Sequence, residues 1–361
     1  MLRVKHKSYL NNVTRVEVDK DKSKFEWRLD QSERLVNFPD EFWDKFLSDL
    51  NQNDFICYPY VNKVKQKIAE HHNLQDTKNI FITPGTDVAI RTLFDVFVIP
   101  GSNVISTSPC FPMYDVYSKL YGAEIKKVEY NEKLTWSIDN LLELVDDRTS
   151  LIMIANPNNP LGDLIPKTKL VELFSITQEM QIPVLIDEAY HEFVEIEDSS
   201  CIISGLKFTN VICTRTFSKA KGGAGIRVGY VISNSPMINL LGKFRIMHEI
   251  TGPASKFACY ILDNYDIVTD YVRKTNSEKR KLVTLFEKSG YDILDGYCNW
   301  IHINSKDDNK KLCSILDKYK NVAYKAGVTL PFDDRKNWLR MTVGPTLSET
   351  NFIKELLENK Q

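Results

Sequence analysis

Short, nearly unbroken apolar runs recur along the first two thirds of the chain, each followed by a polar or glycine-containing turn. NVISTS (103–108), KKVEY (126–130), SLIMIAN (150–156), PVLIDEA (183–189), NVICTRT (210–216) and GYVIS (229–233) read as strands. Apolar positions at helical spacing lie between and around them. One helix runs from about Val61 to His72. Another follows the turn ITPGTD (82–87), with Thr86 as its N-cap and Ala89, Leu93, Val96 and Phe97 on its buried face. A third spans 167–180 behind Pro166. Apolar strands alternating with helices imply a mostly parallel sheet covered on both faces, a three-layer α/β/α unit.

Beyond residue 240 the rhythm changes. Longer amphipathic helices occupy roughly 240–289, and short strands such as NWIHIN (299–304) and LRMTV (339–343) then alternate with helices. That is the pattern of a smaller α+β domain. Residues 1–53 read as a polar, irregular arm with a short helical stretch near 39–43. The expected organisation is an arm over 1–53, a large domain over 54–240 and a small domain over 241–361. A chain of 361 residues is longer than one core usually covers.

Charge and composition remove several function classes. A net charge of -1 leaves no electrostatic footprint for nucleic acid or an anionic membrane, and no apolar run approaches the length of a membrane span. The six histidines are scattered without a helix-spaced pattern, so no metal site is expected. Seven cysteines with no C-x-x-C pair imply reduced thiols and a cytoplasmic location. The opening MLRVKHKSYLNN has basic residues without the apolar segment of a signal peptide.

The candidate chemistry lies where the pattern places strand ends. In an open α/β sheet, ligands bind beyond the carboxyl ends of the strands. Those ends carry NPNNPLG (156–162), DEAYHEF (187–193) and RTFSKA (215–220), and ITPGTD opens a helix whose free N–H groups suit a phosphate. Each cluster alone has a plain structural reading. NPNNPLG has turn composition, the pair Asp187-Glu188 calls for a buried salt bridge, and a lone Lys219 is an ordinary surface lysine. GGAGIRVG contains a G-x-G but precedes a strand, the wrong context for a dinucleotide fingerprint. Together the edge offers an anion cradle, a buried acid, a phenol three residues later, a lysine, and an arginine eight residues beyond it. That inventory meets the needs of pyridoxal phosphate, an aromatic aldehyde carrying a phosphate.

The motifs YPY (58–60), GTD (85–87), NPNNPLG, DEAYHEF, RTFSKAKGGAGIRVGY (215–230) and LRMTVG (339–344) occur in that order. Over about Tyr58 to Gly344 the chain resembles the fold-type I pyridoxal-phosphate aminotransferases (class I/II), most closely the histidinol-phosphate aminotransferase branch. The resemblance implies an aspartate-aminotransferase-like fold with the cofactor in the large domain, and a homodimer. It implies that Lys219 bonds the cofactor aldehyde and acts as general base, and that Asp187 pairs with the pyridinium nitrogen. Tyr190 and Asn159 would hydrogen-bond the ring's 3-oxygen, with Phe111 against the ring face. Thr216, Ser218 and Arg227, with the backbone of Gly85, Thr86 and Asp87, would hold the phosphate. Tyr58 would reach the phosphate of the neighbouring subunit. Arg340, with Asn159, would hold the substrate's carboxylate or phosphate, and Lys325 stands where the branch often has another arginine.

Several positions depart from the family pattern. Leu161 replaces a threonine or serine, and Phe111 replaces a common tyrosine. Lys221, Gly222 and Gly223 replace a bulkier loop, which should loosen it. RLDQSERLVNFP (28–39) matches poorly the branch's Asn-Glu-Asn-Pro-like segment, which sets histidinol phosphate aside as the expected substrate. The expectation is transamination from an L-amino acid, glutamate, to a small keto acceptor with or without a phosphate. A decarboxylase of the phosphoserine or phosphothreonine type would share the cofactor site and is the alternative. A cofactor-binding regulator is a third reading, disfavoured because no basic helix-turn-helix segment is present.

Overall fold

The computed structural model describes residues 7–14, 21, 24–305, 309–331 and 333–358; the first six residues of the basic opening segment lie outside them. A two-residue strand β1 (Trp27–Arg28) pairs in parallel with β11 (Val322–Ala323). The main sheet is built from β2 (Ile80–Thr83), β3 (Asn103–Ser108), β4 (Glu124–Glu129), β5 (Thr149–Ala155), β6 (Val184–Asp187), β7 (Val211–Thr216) and β8 (Gly229–Ser233). Their order is β2-β8-β7-β6-β5-β3-β4, and every neighbouring pair is parallel except the two that β8 makes.

The continuous apolar runs are explained by burial on both faces. Ile152, Ile154, Val184 and Ile186 point into one core, while Leu151, Met153, Leu185 and Ile212 point into the other. The helix Thr86–Phe97 contributes Ala89, Ile90, Leu93 and Phe94 to the second core. Lys167–Glu179 places Leu170, Leu173 and Phe174 in the first. Six strands that run the same way, β2, β3, β4, β5, β6 and β7, therefore deliver their carboxyl ends to one edge.

The second sheet has four antiparallel strands in the order β12-β13-β10-β9: β9 (Asp292–Asp295), β10 (Trp300–Asn304), β12 (Lys325–Leu330) and β13 (Asp333–Thr342). Its own core gathers Leu282, Phe286, Ile301, Ile303, Leu339, Met341 and Phe352.

Four expectations change here. The helix begins at Thr86, but its N-cap is Gly85, with φ 82° and ψ 166°. Thr86 lies within the helix and its hydroxyl makes no cap bond. The arm carries a full helix, Asp40–Asp49, whose Phe42 and Phe46 are buried. The first two residues of the expected turn ITPGTD, Ile82 and Thr83, end the strand β2. The expected boundary at 240 falls before the helix Gly252–Asp263, whose Ala254, Phe257 and Ala258 pack in the larger core. The change of core happens inside the long helix Asp266–Lys288, between Tyr271 and Leu282.

Candidate active site

The strand ends at the shared edge enclose a cavity of about 170 Å³. Thr86, Asp87, Phe111, Asn159, Asp187, Tyr190, Thr216, Ser218, Lys219 and Arg227, ten of the residues expected from the sequence, line it. Gly85 lies just behind Arg227. Arg340 joins through Asn159, whose Oδ1 accepts from Arg340 Nη1 at 3.1 Å. Tyr58 and Lys325 stand apart. Tyr58 is 80% exposed and stacks on His248 with ring centroids 3.9 Å apart. Lys325 is an exposed residue of β12, directly opposite Arg340.

Asp187 and Glu188 share one peptide unit and have different surroundings. Glu188 is saturated. Arg215 approaches it to 2.8 Å, and Ser200 Oγ and the Cys201 amide donate to it. Asp187 has no cationic partner among the described residues. Thr214 Oγ1 donates to it at 3.0 Å and Tyr114 OH at 3.4 Å. Burial pushes its carboxyl up to about 6, against the hydrogen bond from Thr214. A carboxylate so placed is a socket for a cation brought by a ligand. The salt bridge expected of this pair thus belongs to Glu188.

The turn between β7 and β8 presents Lys219. Phe217, fully buried, anchors it, and Gly222 N donates to Lys219 O at 2.9 Å while Gly223 N donates to Phe217 O at 2.7 Å. Lys221, expected on a loose loop, is fully buried and paired with Glu192, which also receives Arg215 at 3.2 Å. The turn is therefore tied to the segment that follows Tyr190. Lys219 Nζ extends into the cavity, 5.3 Å from the Tyr190 ring centroid, and donates to Gln31 O at 2.8 Å.

An anion cradle closes the other end. A Cβ at Gly85 would lie 2.5 Å from Arg227 Nη2, so only glycine lets the guanidinium rest on this helix N-terminus. Gly229 meets the same constraint from β8, where a Cβ would fall 2.7 Å from Thr86 N. Arg227 Nη1 donates to Ser218 Oγ at 3.2 Å. Thr86 Oγ1 and Asp87 Oδ1 are buried and have no hydrogen-bond partner. Free helix N–H groups, a hydroxyl donor and an arginine form a site for a phosphate.

These residues fit pyridoxal phosphate: an amine for its aldehyde, an unpaired buried carboxylate for its ring nitrogen, and the cradle for its phosphate. Phe111, edge-on to Tyr114, supplies an aromatic wall. Sequence reasoning missed Thr214, Tyr114, Gln31, Ser32 and Trp300. Thr214 was accessible in principle, because parallel pairing puts it beside Asp187. Ser32 Oγ accepts from Arg340 Nη2 at 2.6 Å across 308 positions, a contact with no local signal.

Comparison with known proteins gives a consistent picture. The family model described as aminotransferase class I and II matches residues 33–358. The chain is 32% identical over 259 residues to histidinol-phosphate aminotransferase 2 of Oceanobacillus iheyensis, covering 70% of each chain. Among solved structures it is similar to histidinol-phosphate aminotransferase from Sinorhizobium meliloti, in complex with pyridoxal-5'-phosphate. That match has a TM-score of 0.84 and 20% identity and covers 98% of this chain and 97% of the other. L-threonine-O-3-phosphate decarboxylase from Porphyromonas gingivalis has the same fold, with a TM-score of 0.76 and 19% identity over 92% of this chain and 98% of the other.

Proposed function

The chain belongs to the class I and II aminotransferases, and from that premise we propose that it moves the amino group of an L-amino acid, glutamate first among them, to a small keto acceptor. It is a pyridoxal-phosphate enzyme. The bound cofactor supplies an aldehyde that condenses with amines and an aromatic cation that draws electrons from the bonds around the substrate's α-carbon.

The chain's own residues do the rest. Lys219 holds the cofactor in the resting enzyme, and its Nζ takes and returns the proton of the substrate α-carbon. Asp187 keeps the ring nitrogen protonated, and Thr214 and Tyr114 keep that carboxylate aimed. Tyr190 and Asn159 fix the ring's 3-oxygen. Arg340 binds the substrate carboxylate through a planar fork. Lys325, opposite Arg340 on the neighbouring strand, supports an acceptor with a second negative group.

The observation that carries this reading is the buried Asp187 carboxyl, without a cation among the described residues, in one cavity with Lys219 and the Arg227 cradle. A single turnover of cofactor-loaded enzyme with glutamate tests it. One 2-oxoglutarate per active site and no carbon dioxide is the expected result. Carbon dioxide from phosphothreonine, with no keto acid from any amino donor, would replace transamination with decarboxylation. A panel of keto acceptors, histidinol phosphate's keto precursor included, then identifies the second substrate.

The working unit in this reading is a homodimer. Phe55, Ile56, Tyr58 and Tyr60 are exposed, as are Ile246 and Met247 on the nearby 244–252 segment. Both segments line a cleft of about 660 Å³ that reaches Arg227. Joining two such faces would cover this apolar surface and bring each Tyr58 toward the other subunit's phosphate cradle. Ile56→Glu combined with Met247→Glu should shift the sedimentation coefficient to that of a monomer and lower activity at least about 10-fold, a conservative figure for a charged pair buried in an apolar interface. A dimer that survives the double change would relocate the interface.

A further inference from the structure

β10 and β13 pair with His302 directly opposite Arg340. Trp300 lies two residues earlier on β10. Its ring centroid is 4.0 Å from the Arg340 guanidinium carbon, and its Nε1 donates to Pro160 O at 3.0 Å. Strand alternation puts His302 on that same face, while Ile301 and Ile303 enter the small core. His302 is 0% exposed, and neither Nδ1 nor Nε2 has a hydrogen-bond partner among the described residues. Arg340 Nε is also buried without a partner. Two unsatisfied groups, one a donor and one able to accept, thus occupy opposed positions on adjacent strands. Buried groups of this kind are costly to leave unpaired. Opposed Cβ atoms on adjacent strands lie about 4.5–5.5 Å apart, close enough for two such side chains to interact.

The electrostatics support this pairing. Burial and the nearby Arg340 and Lys325 cations push His302 down to about 3, so it is a neutral imidazole with one accepting nitrogen. The other two guanidinium nitrogens bond side chains, Nη1 that of Asn159, which lines the cavity, and Nη2 that of Ser32.

We propose that His302 is a positioning residue for Arg340: its accepting nitrogen takes the Nε–H, which leaves Nη1 and Nη2 to meet the substrate carboxylate end-on. The inference rests on Arg340 as the carboxylate anchor. Held from behind by His302 and stacked on Trp300, the fork has one orientation. Without His302, Nε–H competes for the carboxylate and the guanidinium turns. His302 is thus a determinant of how tightly, and in which pose, the donor's carboxylate is held.

The test uses the cofactor-loaded enzyme and three variants, His302→Leu, His302→Gln and Arg340→Met. Glutarate, which cannot react because it lacks an amine, is titrated by calorimetry, and KM and kcat are measured for glutamate. His302→Leu should weaken glutarate and raise the glutamate KM about 10-fold, the loss expected for one hydrogen bond to a charged group, with kcat changed less than about twofold. His302→Gln, whose amide oxygen can accept from Nε, should recover most of that loss. The absorbance of the bound cofactor should match wild type in both, which shows an intact fold and cofactor site. If Arg340→Met weakens glutarate and His302→Leu does not, His302 has no part in the fork. If Arg340→Met leaves glutarate binding unchanged, Arg340 is not the anchor and the underlying reading fails instead.

Discussion

Lys219→Ala abolishes amino-group transfer. The expected fall in kcat is roughly 10⁴-fold or more, the upper range for removal of a positioned general base, because covalent capture of the cofactor is lost as well. Among the described residues no other lysine lines the cavity. The nearest in sequence, Lys221, is fully buried and paired with Glu192 on the far side of the turn, so it cannot substitute. Cofactor should still bind the variant without a covalent bond, through the Arg227 cradle and Asp187. Stopped-flow turnover and mass spectrometry of the intact protein check both halves. Residual transfer above about 1% of wild type would assign the proton transfer elsewhere.

Asp187→Asn has the second largest effect, and it acts in two directions. Activity should fall on the order of 10³-fold, as for loss of one preorganised charge in a dry site. The cofactor-free protein, in contrast, should become more stable at neutral pH. The folded carboxyl titrates near 6, above its ordinary value, because burial disfavours its charge. Between the two values the folded chain holds a proton that the unfolded chain has released. Stability therefore falls as pH rises from about 4 to 6, and above that the full penalty applies, about 3 kcal/mol. Asparagine has no such penalty. Thermal unfolding of the two cofactor-free proteins should show a gap that is small at pH 4.5 and widens by pH 7.5. A gap that does not change with pH would remove Asp187 from the role of a strained, waiting counter-ion. A destabilising group kept at a functional position is the usual trade between stability and activity.

The fold was legible where burial was two-sided. β5, β6 and β7 are covered on both faces, and the short, near-continuous apolar runs of β5 and β6 are the pattern of buried parallel strands. The small-domain strands β9 and β12 are partly exposed, and DILD and KAGVTL carry too few apolar residues to announce a strand. The cap at Gly85 was misassigned to Thr86 because a hydroxyl is the usual signal, whereas here the decisive fact is the contact between Gly85 and Arg227.

That ten of the candidate residues line one cavity was legible because they sit at strand ends, which the alternating pattern locates. The substrate side was not. Arg340 was visible in LRMTVG, but its partners come from three distant places: Ser32 in the arm, Asn159 in a turn, and Trp300 on the neighbouring strand. Such contacts depend on how the two domains meet, which no local pattern encodes. Glu188 and Asp187 make the same point at one residue's distance. Only the register of β6 against β7 shows that Arg215 serves the former and Thr214 the latter.

In the proposed reaction Lys219 holds the cofactor in the resting enzyme and releases it to an amino donor. Borohydride reduction followed by peptide mass mapping tests this directly. The resting enzyme should carry the cofactor mass on the peptide containing Lys219, and prior incubation with saturating glutamate should remove that mark. A mark on a different lysine, or one on Lys219 that persists through every amino acid offered, would contradict the account.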